Sequence, residues 1–197
     1  MKLDSSRLIV IVGLVHSGTT ILTHLLSQHS SIELGETGEL GWTLEGPALY
    51  NEDTQSIKRM LSDCPDRLLL KLAWQEGFDI SWMVRKIPDA KFLHIVKEFP
   101  VMCASWDKPT NLTTYELSHG TREYRKSFYD NGIKHLRVLK GANSYREVPY
   151  VNLLSGPSEE LDLVVKWLDL PKFEFNTSLV SPDIDIKVVL GRDYDVQ

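Results

Sequence analysis

The clearest pattern in the chain is an unbroken apolar run followed by an amphipathic stretch, LIVIVGLVHSGTTILTHLL, at residues 8–26. The β-branched run at 8–12 predicts a strand that is covered on both faces of a parallel sheet. The amphipathic part predicts a helix that begins at or near Ser17. Its apolar stripe consists of Ile21, Leu22, Leu25 and Leu26.

Further apolar runs predict the other strands, and helical periodicity predicts segments between them. Strands are expected at 67–74, 90–96, 135–139 and 150–154. Helices are expected at 51–62, 80–87, 101–106 and 116–130, and from Pro157 onward. The 116–130 helix is expected to turn Leu117, Tyr124 and Phe128 inward. The remaining parts are interpreted as loops at 30–50 and 107–114 and an unassigned tail from 171.

Alternation of strands with helices predicts an α/β fold, a three-layer sandwich of about five mostly parallel strands with helices on both faces. Ligands of such sheets bind beyond the carboxyl ends of the strands. Residues 13–20, 71–74 and 97–105 end or follow predicted strands, so we expect them at one edge of the sheet. Residues 1–197 are expected to form a single domain.

The chain is 42% hydrophobic and 25% charged, with a net charge of −5, which is typical of a globular protein. This acidic balance provides no global field for nucleic acid, so any anion site must be local. Cys64 and Cys103 lack C-x-x-C spacing and are interpreted as reduced packing residues rather than metal or disulfide residues. The first apolar run is too short for a membrane span, and the start lacks a cleavage-site pattern. We therefore expect a cytoplasmic protein without membrane contacts.

The turn between the first strand and helix matches the phosphate-binding loop G-x-x-x-x-G-K-[ST] at every fixed position but one. Gly13, Gly18 and Thr20 fit, whereas Thr19 stands at the lysine position. Such a loop points backbone N–H groups at an anion from a helix N-terminus. The motif makes the predicted sandwich one of P-loop type, with a purely structural turn as the alternative.

The missing lysine bears on the reaction. An ATP-dependent enzyme uses that lysine on the β- and γ-phosphates, and usually an aspartate after a second strand to help hold Mg²⁺. Neither LLLKLAW nor KFLHIVKE ends in aspartate. ATP-dependent phosphoryl transfer is therefore disfavoured. A small-molecule or nucleotide kinase with a degenerate loop and a non-catalytic nucleotide-binding module stay as alternatives.

The stretch GLVHSGTTILTHLLSQHSSI resembles the 5′-phosphosulfate loop of PAPS-dependent sulfotransferases, roughly G-x-x-[KR]-S-G-T-[TS] before a leucine-rich helix. The family's 3′-phosphate motif is a strand ending in arginine with a serine eight residues later, a spacing that Lys97 and Ser105 reproduce. The similarity extends over most of residues 8–171 and is nearest to the bacterial small-molecule and tyrosylprotein types. The chain departs from the pattern at His16, which replaces lysine or arginine, and at Lys97, which replaces arginine.

The resemblance implies transfer of a sulfuryl group from PAPS, 3′-phosphoadenosine 5′-phosphosulfate, to the hydroxyl group of a small molecule or peptide, releasing 3′,5′-ADP without a metal ion. It implies a 3′-phosphate site at Lys97 and Ser105. It implies a 5′-phosphosulfate site formed by Gly13, His16, Ser17, Gly18, Thr19 and Thr20.

The resemblance also implies catalytic roles. His16 and Lys71 would stabilise charge on the sulfate and the leaving oxygen, and Glu36 would be the general base, with Glu39 as the alternative. Each has a simpler interpretation. Lys71 could be an edge lysine that reaches water, His16 a plain hydrogen-bond donor, and either glutamate a solvated loop carboxylate.

The remaining histidines and several aromatic residues have simpler structural interpretations. His94 lies inside a predicted strand and is interpreted as a core histidine, whereas His24, His29 and His119 are expected on helix surfaces. Substrate contact and core packing stay open for the remaining candidates, which are Trp42, Trp74, Trp106 and Tyr145.

Overall fold

The computed structural model describes residues 4–35, 47–107 and 115–180. Its strands are β1 (Leu8–Leu14), β2 (Ile32–Leu34), β3 (Arg67–Trp74), β4 (Lys91–Val96) and β5 (Ser144–Pro149). They form one sheet in the order β2-β3-β1-β4-β5, in which all neighbouring strands are parallel. The predicted α/β class with a parallel sheet is therefore confirmed.

The helices in the described ranges cover both faces of the sheet. They are α1 (Thr19–Leu26), α2 (Pro47–Tyr50), α3 (Thr54–Asp63), α4 (Ser81–Lys86), α5 (Phe99–Trp106), α6 (Tyr115–His119), α7 (Arg122–Leu136), α8 (Tyr150–Ser155) and α9 (Pro157–Trp167). One apolar cluster joins the sheet to α1, α8 and α9, and a second joins the opposite face to α2 through α7. The predicted three-layer arrangement is confirmed.

Strand β1 lies at the centre of this arrangement. All of its residues are buried, because Ile9 and Ile11 belong to one apolar cluster while Val10 and Val12 belong to the other. It pairs with β3 on one side and β4 on the other, so the carboxyl ends of these three strands meet at one edge. The continuous apolar run was therefore a correct signal for a strand covered on both faces.

Three sequence predictions about strands are wrong. The loop predicted at 30–50 contains β2, whose three residues are too few to show a pattern. The strand predicted at 135–139 is the end of α7 and the 3₁₀-helix Arg137–Gly141, in which Leu136 and Leu139 are buried at helical spacing. The strand predicted at 150–154 is α8. The fifth strand is β5, whose sequence SYREVP is polar because it lies at the sheet edge.

The helix predicted at 116–130 is two helices. Thr121 interrupts it and caps α7, since its side chain accepts a hydrogen bond from the Tyr124 backbone N–H at 3.2 Å. Leu117 and Phe128 are buried as predicted, whereas Tyr124 is 39% exposed, so its inward placement was wrong. Both cysteines are free thiols, with Cys64 buried and Cys103 half-buried.

No helix in residues 4–35, 47–107 and 115–180 has the length and hydropathy needed to cross a membrane.

Gly132 sets how closely α7 approaches the sheet. A Cβ atom at this position would collide with Leu14 Cδ2 and lie 2.8 Å from the Trp74 ring. We expect Gly132→Ala to lower the free energy of unfolding by about 1–3 kcal/mol, because the buried neighbours must shift. Urea denaturation measures this. The control is Gly141→Ala, whose Cβ would meet nothing nearer than Val84 Cγ1 at 4.0 Å, and equal destabilisation by both variants would contradict the prediction.

Candidate functional site

The loop between β1 and α1 makes a tight turn with two left-handed residues. His16 has φ 67° and Gly18 has φ 103°, and the Ser17 N–H donates to the Leu14 carbonyl at 3.0 Å. The turn ends where the Leu22 N–H donates to the Gly18 carbonyl at 3.1 Å and α1 begins. The helix therefore starts slightly later than predicted.

The beginning of α1 provides hydrogen-bond donors for an anion. The first N–H groups of a helix have no intrahelical acceptor, and the helix dipole makes this end positive. The N-terminal residue Gly18 has no side chain to cap them, and the first turn of α1 has no acidic residue. The local backbone geometry is therefore compatible with the anion site that the motif predicted.

The loop is packed closely around Gly13. A Cβ atom there would collide with Ser17 Oγ and would lie 2.7 Å from Ile95 Cγ2 and 2.9 Å from Thr19 Cγ2. Thr19 is only 3% exposed, so it could contact a ligand through its backbone rather than its hydroxyl group. Ser17 Oγ is buried and has no hydrogen-bond partner within the described ranges. An unpartnered buried hydroxyl is costly, and an anion would satisfy it.

Lys71 lies beneath this loop. It sits on β3 opposite Ile11 of β1, is 2% exposed, and its Nζ donates to Thr20 Oγ1 at 2.9 Å. Because β3 lies between β1 and β2, the interpretation of Lys71 as an edge lysine that reaches water is wrong. The structure places a buried ammonium group directly against the first turn of α1.

Lys97 and Ser105 are in contact. Lys97 follows β4 and is 6% exposed, and its Nζ donates to Ser105 Oγ at 2.7 Å and to the His16 carbonyl at 3.2 Å. The Tyr129 hydroxyl donates to the Lys97 carbonyl at 3.0 Å. Lys97 therefore connects α5 with the loop, and residues 13–20, 71–74 and 97–105 meet at one edge of the sheet as predicted.

Tyr150 also lies beside Lys97 and the 13–20 loop, and the sequence analysis did not predict it there. Its ring lies 4.2 Å from Lys97 Nζ, and a Cβ atom on Gly18 would come within 2.7 Å of the ring. Burial raises the pKa of its hydroxyl group, so it stays protonated. The sequence analysis did not identify Tyr150 as a site residue because it assigned residues 150–154 to a strand. It directly follows β5, where a residue at the functional edge would be expected.

The proposed bases, Glu36 and Glu39, lie outside the described residues, as does Trp42. Among the described residues, His24 is a titratable side chain close to the loop. It lies one turn beyond Thr20 on α1. Its Nε2 is buried without a hydrogen-bond partner in the described ranges. Burial, and then the charge of Lys71, lower the pKa of His24, so the ring is neutral near pH 7.

The remaining histidines are structural or exposed. His94 is fully buried, its Nδ1 lies 2.7 Å from the Tyr145 hydroxyl, and burial lowers its pKa to about 4, which confirms a neutral core histidine. His29 is 2% exposed, with Nε2 at 3.0 Å from the Pro171 carbonyl, so its expected surface position was wrong. In the described ranges, no group of three or more histidine, cysteine, aspartate or glutamate residues could hold a metal ion.

Solved structures share this architecture. A sulfotransferase from Alicyclobacillus acidocaldarius aligns with a TM-score of 0.64 and 13% identity over 98% of each chain. A mouse sulfotransferase complexed with PAP aligns with a TM-score of 0.57 and 15% identity over 87% of this chain and 62% of the mouse chain. A sugar kinase from a Janibacter species aligns with a TM-score of 0.53 and 14% identity over 83% of this chain and 95% of the kinase.

No family model matches the chain, and no curated protein does. The similarity to solved structures establishes a sulfotransferase-type α/β fold. The fold of a sugar kinase is also similar.

Ser17 provides a test of the anion site. We expect Ser17→Ala to weaken the binding of inorganic pyrophosphate while leaving the free energy of unfolding unchanged or raising it by about 1 kcal/mol, because it removes an unpartnered buried hydroxyl. The contrast is Thr23→Ala, which deletes a bonded hydroxyl (Thr23 Oγ1 to the Thr19 carbonyl, 2.9 Å) and should destabilise the protein. Calorimetric titration and urea unfolding measure both quantities. If Ser17→Ala bound pyrophosphate with unchanged affinity, the Ser17 hydroxyl group would have no role in anion binding.

Proposed function

We propose that this protein is a PAPS-dependent sulfotransferase that forms a sulfate ester on a hydroxyl acceptor and releases 3′,5′-ADP. The observation that carries the proposal is the contact of Lys97 Nζ with Ser105 Oγ at 2.7 Å, immediately beside the 13–20 loop. Two neighbouring sites for anionic groups, one at the loop and one at this pair, suit a donor with phosphate groups at two positions. A ligand with one phosphate would need only the loop.

The residues of the edge have complementary roles in this proposal. Backbone N–H groups at the start of α1 and Ser17 Oγ would hold the 5′-phosphosulfate, and Lys97 with Ser105 would hold the 3′-phosphate. PAPS would supply the sulfuryl group together with a leaving phosphate. Lys71 is held on β3 inside the sheet, so in this proposal it would stabilise developing negative charge with little reorganisation.

The acceptor hydroxyl must lose a proton, and Glu36 is the proposed base, with Glu39 as the alternative. Lys71 and His16 are proposed to stabilise the developing charge. His16 has a left-handed backbone conformation within the loop, and its carbonyl accepts a hydrogen bond from Lys97 Nζ at 3.2 Å. The acceptor is proposed to be a small molecule or a peptide that carries a hydroxyl group.

The fold comparisons support the proposal because several of the matching structures are sulfotransferases, and the mouse structure contains PAP. A sugar kinase is also among the matches, which favours a kinase as the second candidate. Thr19 at the loop lysine position argues against the kinase, since its 3% exposed side chain carries no charge. Turnover that depends on Mg²⁺ and ATP would reverse the order of the two candidates.

Lys97 tests the identity of the donor. We expect 3′,5′-ADP to bind more tightly than 5′-AMP, and Lys97→Met to remove most of this preference, about tenfold or more, because a hydrogen bond to a charged group contributes about 1.5–3 kcal/mol. The matched control is Lys91→Met at the other end of β4, where Nζ pairs with Asp169 at 2.7 Å. Thermal shift and calorimetric titration measure the preference. Equal binding of both nucleotides by the unmodified protein would refute the proposal.

Lys71 tests the reaction separately from binding. We expect Lys71→Met to lower sulfate transfer from PAPS to a panel of phenols and alcohols by about 10²–10³-fold, because one preorganised charge contact to the transition state is lost. Affinity for 3′,5′-ADP should stay within about threefold, since other groups hold the nucleotide. Methionine fits the buried position, so unfolding should change little. Full transfer activity in Lys71→Met would show that Lys71 has no catalytic role. A thermal melting curve of the variant shows whether it is still folded.

A further inference from the structure

A cavity of about 260 Å³ lies between the beginning of α5 and the beginning of α7. Its volume suits a small organic molecule, being near the lower end of ligand pockets, which begin at about 300 Å³. Its lining residues are Phe99, Pro100, Cys103, Arg122 and Arg125.

The cavity is separated from the proposed donor site by α5 itself. Cys103 lines the cavity, whereas Ser105 contacts Lys97. Two residues along an α-helix point about 200° apart, so these side chains leave α5 on nearly opposite faces. The cavity is therefore a second place on the molecule where a ligand could bind.

Its polar wall is cationic. Arg125 is held in place, because Nη1 donates to Asp107 Oδ1 at 2.6 Å and Nη2 donates to the Ser118 carbonyl at 2.7 Å. Arg125 Nε is buried and has no hydrogen-bond partner within the described residues. Arg122 is exposed at the first position of α7, where the helix dipole also favours a negative charge. Arg125 is paired with Asp107, so the exposed Arg122 and the unpartnered Arg125 Nε–H are the groups that favour an anion over a cationic ligand.

The cavity also has an apolar part, which Phe99 and Pro100 form. The Phe99 ring packs on Tyr129 with a centroid distance of 5.4 Å, and Pro100 extends this surface along α5. Lys126 Nζ lies 5.6 Å from the Phe99 centroid and pairs with Asp130. An aromatic ring and guanidinium groups lining one cavity fit a planar body with an acidic substituent.

We propose that this cavity binds a small, flat organic anion, with a carboxylate, sulfonate or phosphate group at Arg122 and Arg125 and its apolar body against Phe99 and Pro100. The proposal goes beyond the sulfate-transfer function and does not depend on it. Cys103 lies in the wall and is half-buried, so its thiol can report on occupancy.

The experiment compares two aromatic disulfides that differ in charge, and the change in their rate ratio between variants cancels their intrinsic difference in reactivity. One is the anionic 5,5′-dithiobis(2-nitrobenzoate) and the other is the neutral 4,4′-dithiodipyridine, and peptide mapping with Cys103→Ser identifies the modified thiol. We expect Arg122→Gln to lower the ratio of the anionic to the neutral labelling rate about threefold, because one partly screened charge contact is lost. Lys134→Gln, which removes an exposed cation farther along α7, should leave the ratio unchanged.

Direct binding provides a second measurement that does not use the thiol. Calorimetric titration of 2-naphthoate should show weaker binding to Arg122→Gln than to Lys134→Gln, and 2-naphthalenemethanol, which lacks the charge, should bind neither tightly. The same affinity of 2-naphthoate for both variants, with an unchanged labelling ratio, would overturn the proposal. Protection of Cys103 by 3′,5′-ADP would also overturn it, by assigning the cavity to the donor site.

Discussion

Strand β1 is paired with a parallel strand along both edges and is covered by an apolar cluster on both faces. Because parallel strands in register end at the same edge, this one constraint brings together the loop after β1, the ammonium group on β3 and the lysine that follows β4. The site is therefore a consequence of the sheet rather than an addition to it. Gly13 packs closely against Ser17 and Thr19, and this packing restricts the conformation of the loop that leads into α1.

The positive charge of this edge is local and mostly buried, in a chain whose net charge is −5. Lys71 and Lys97 are 2% and 6% exposed, and each donates to a hydroxyl group. Taking an ammonium group out of water is costly. An anion bound beside the loop, as proposed for the sulfate donor, would offset part of this cost.

Sequence patterns predicted the interior of the fold well and its periphery poorly. The runs at β1, β3 and β4 were recognised because strands covered on both faces must be continuously apolar. The edge strand β5 reads SYREVP and lacks that signal, whereas the apolar segment after it, YVNLL, is helical. Because the strand was predicted at the position of α8, Tyr150 was not recognised as the first residue after β5. Likewise, Tyr124 follows the cap of α7 and faces solvent, which periodicity across the predicted single helix could not show.

By itself the sequence determined the α/β class, the turn before α1 and the spacing between Lys97 and Ser105, because these depend on local residue order. Only the tertiary structure decided that Lys71 contacts Thr20, that Tyr150 covers Lys97 and Gly18, and that a cavity opens between α5 and α7. These contacts join residues far apart in the chain. They depend on strand order and helix packing, which bring distant segments together in a way that no local pattern records.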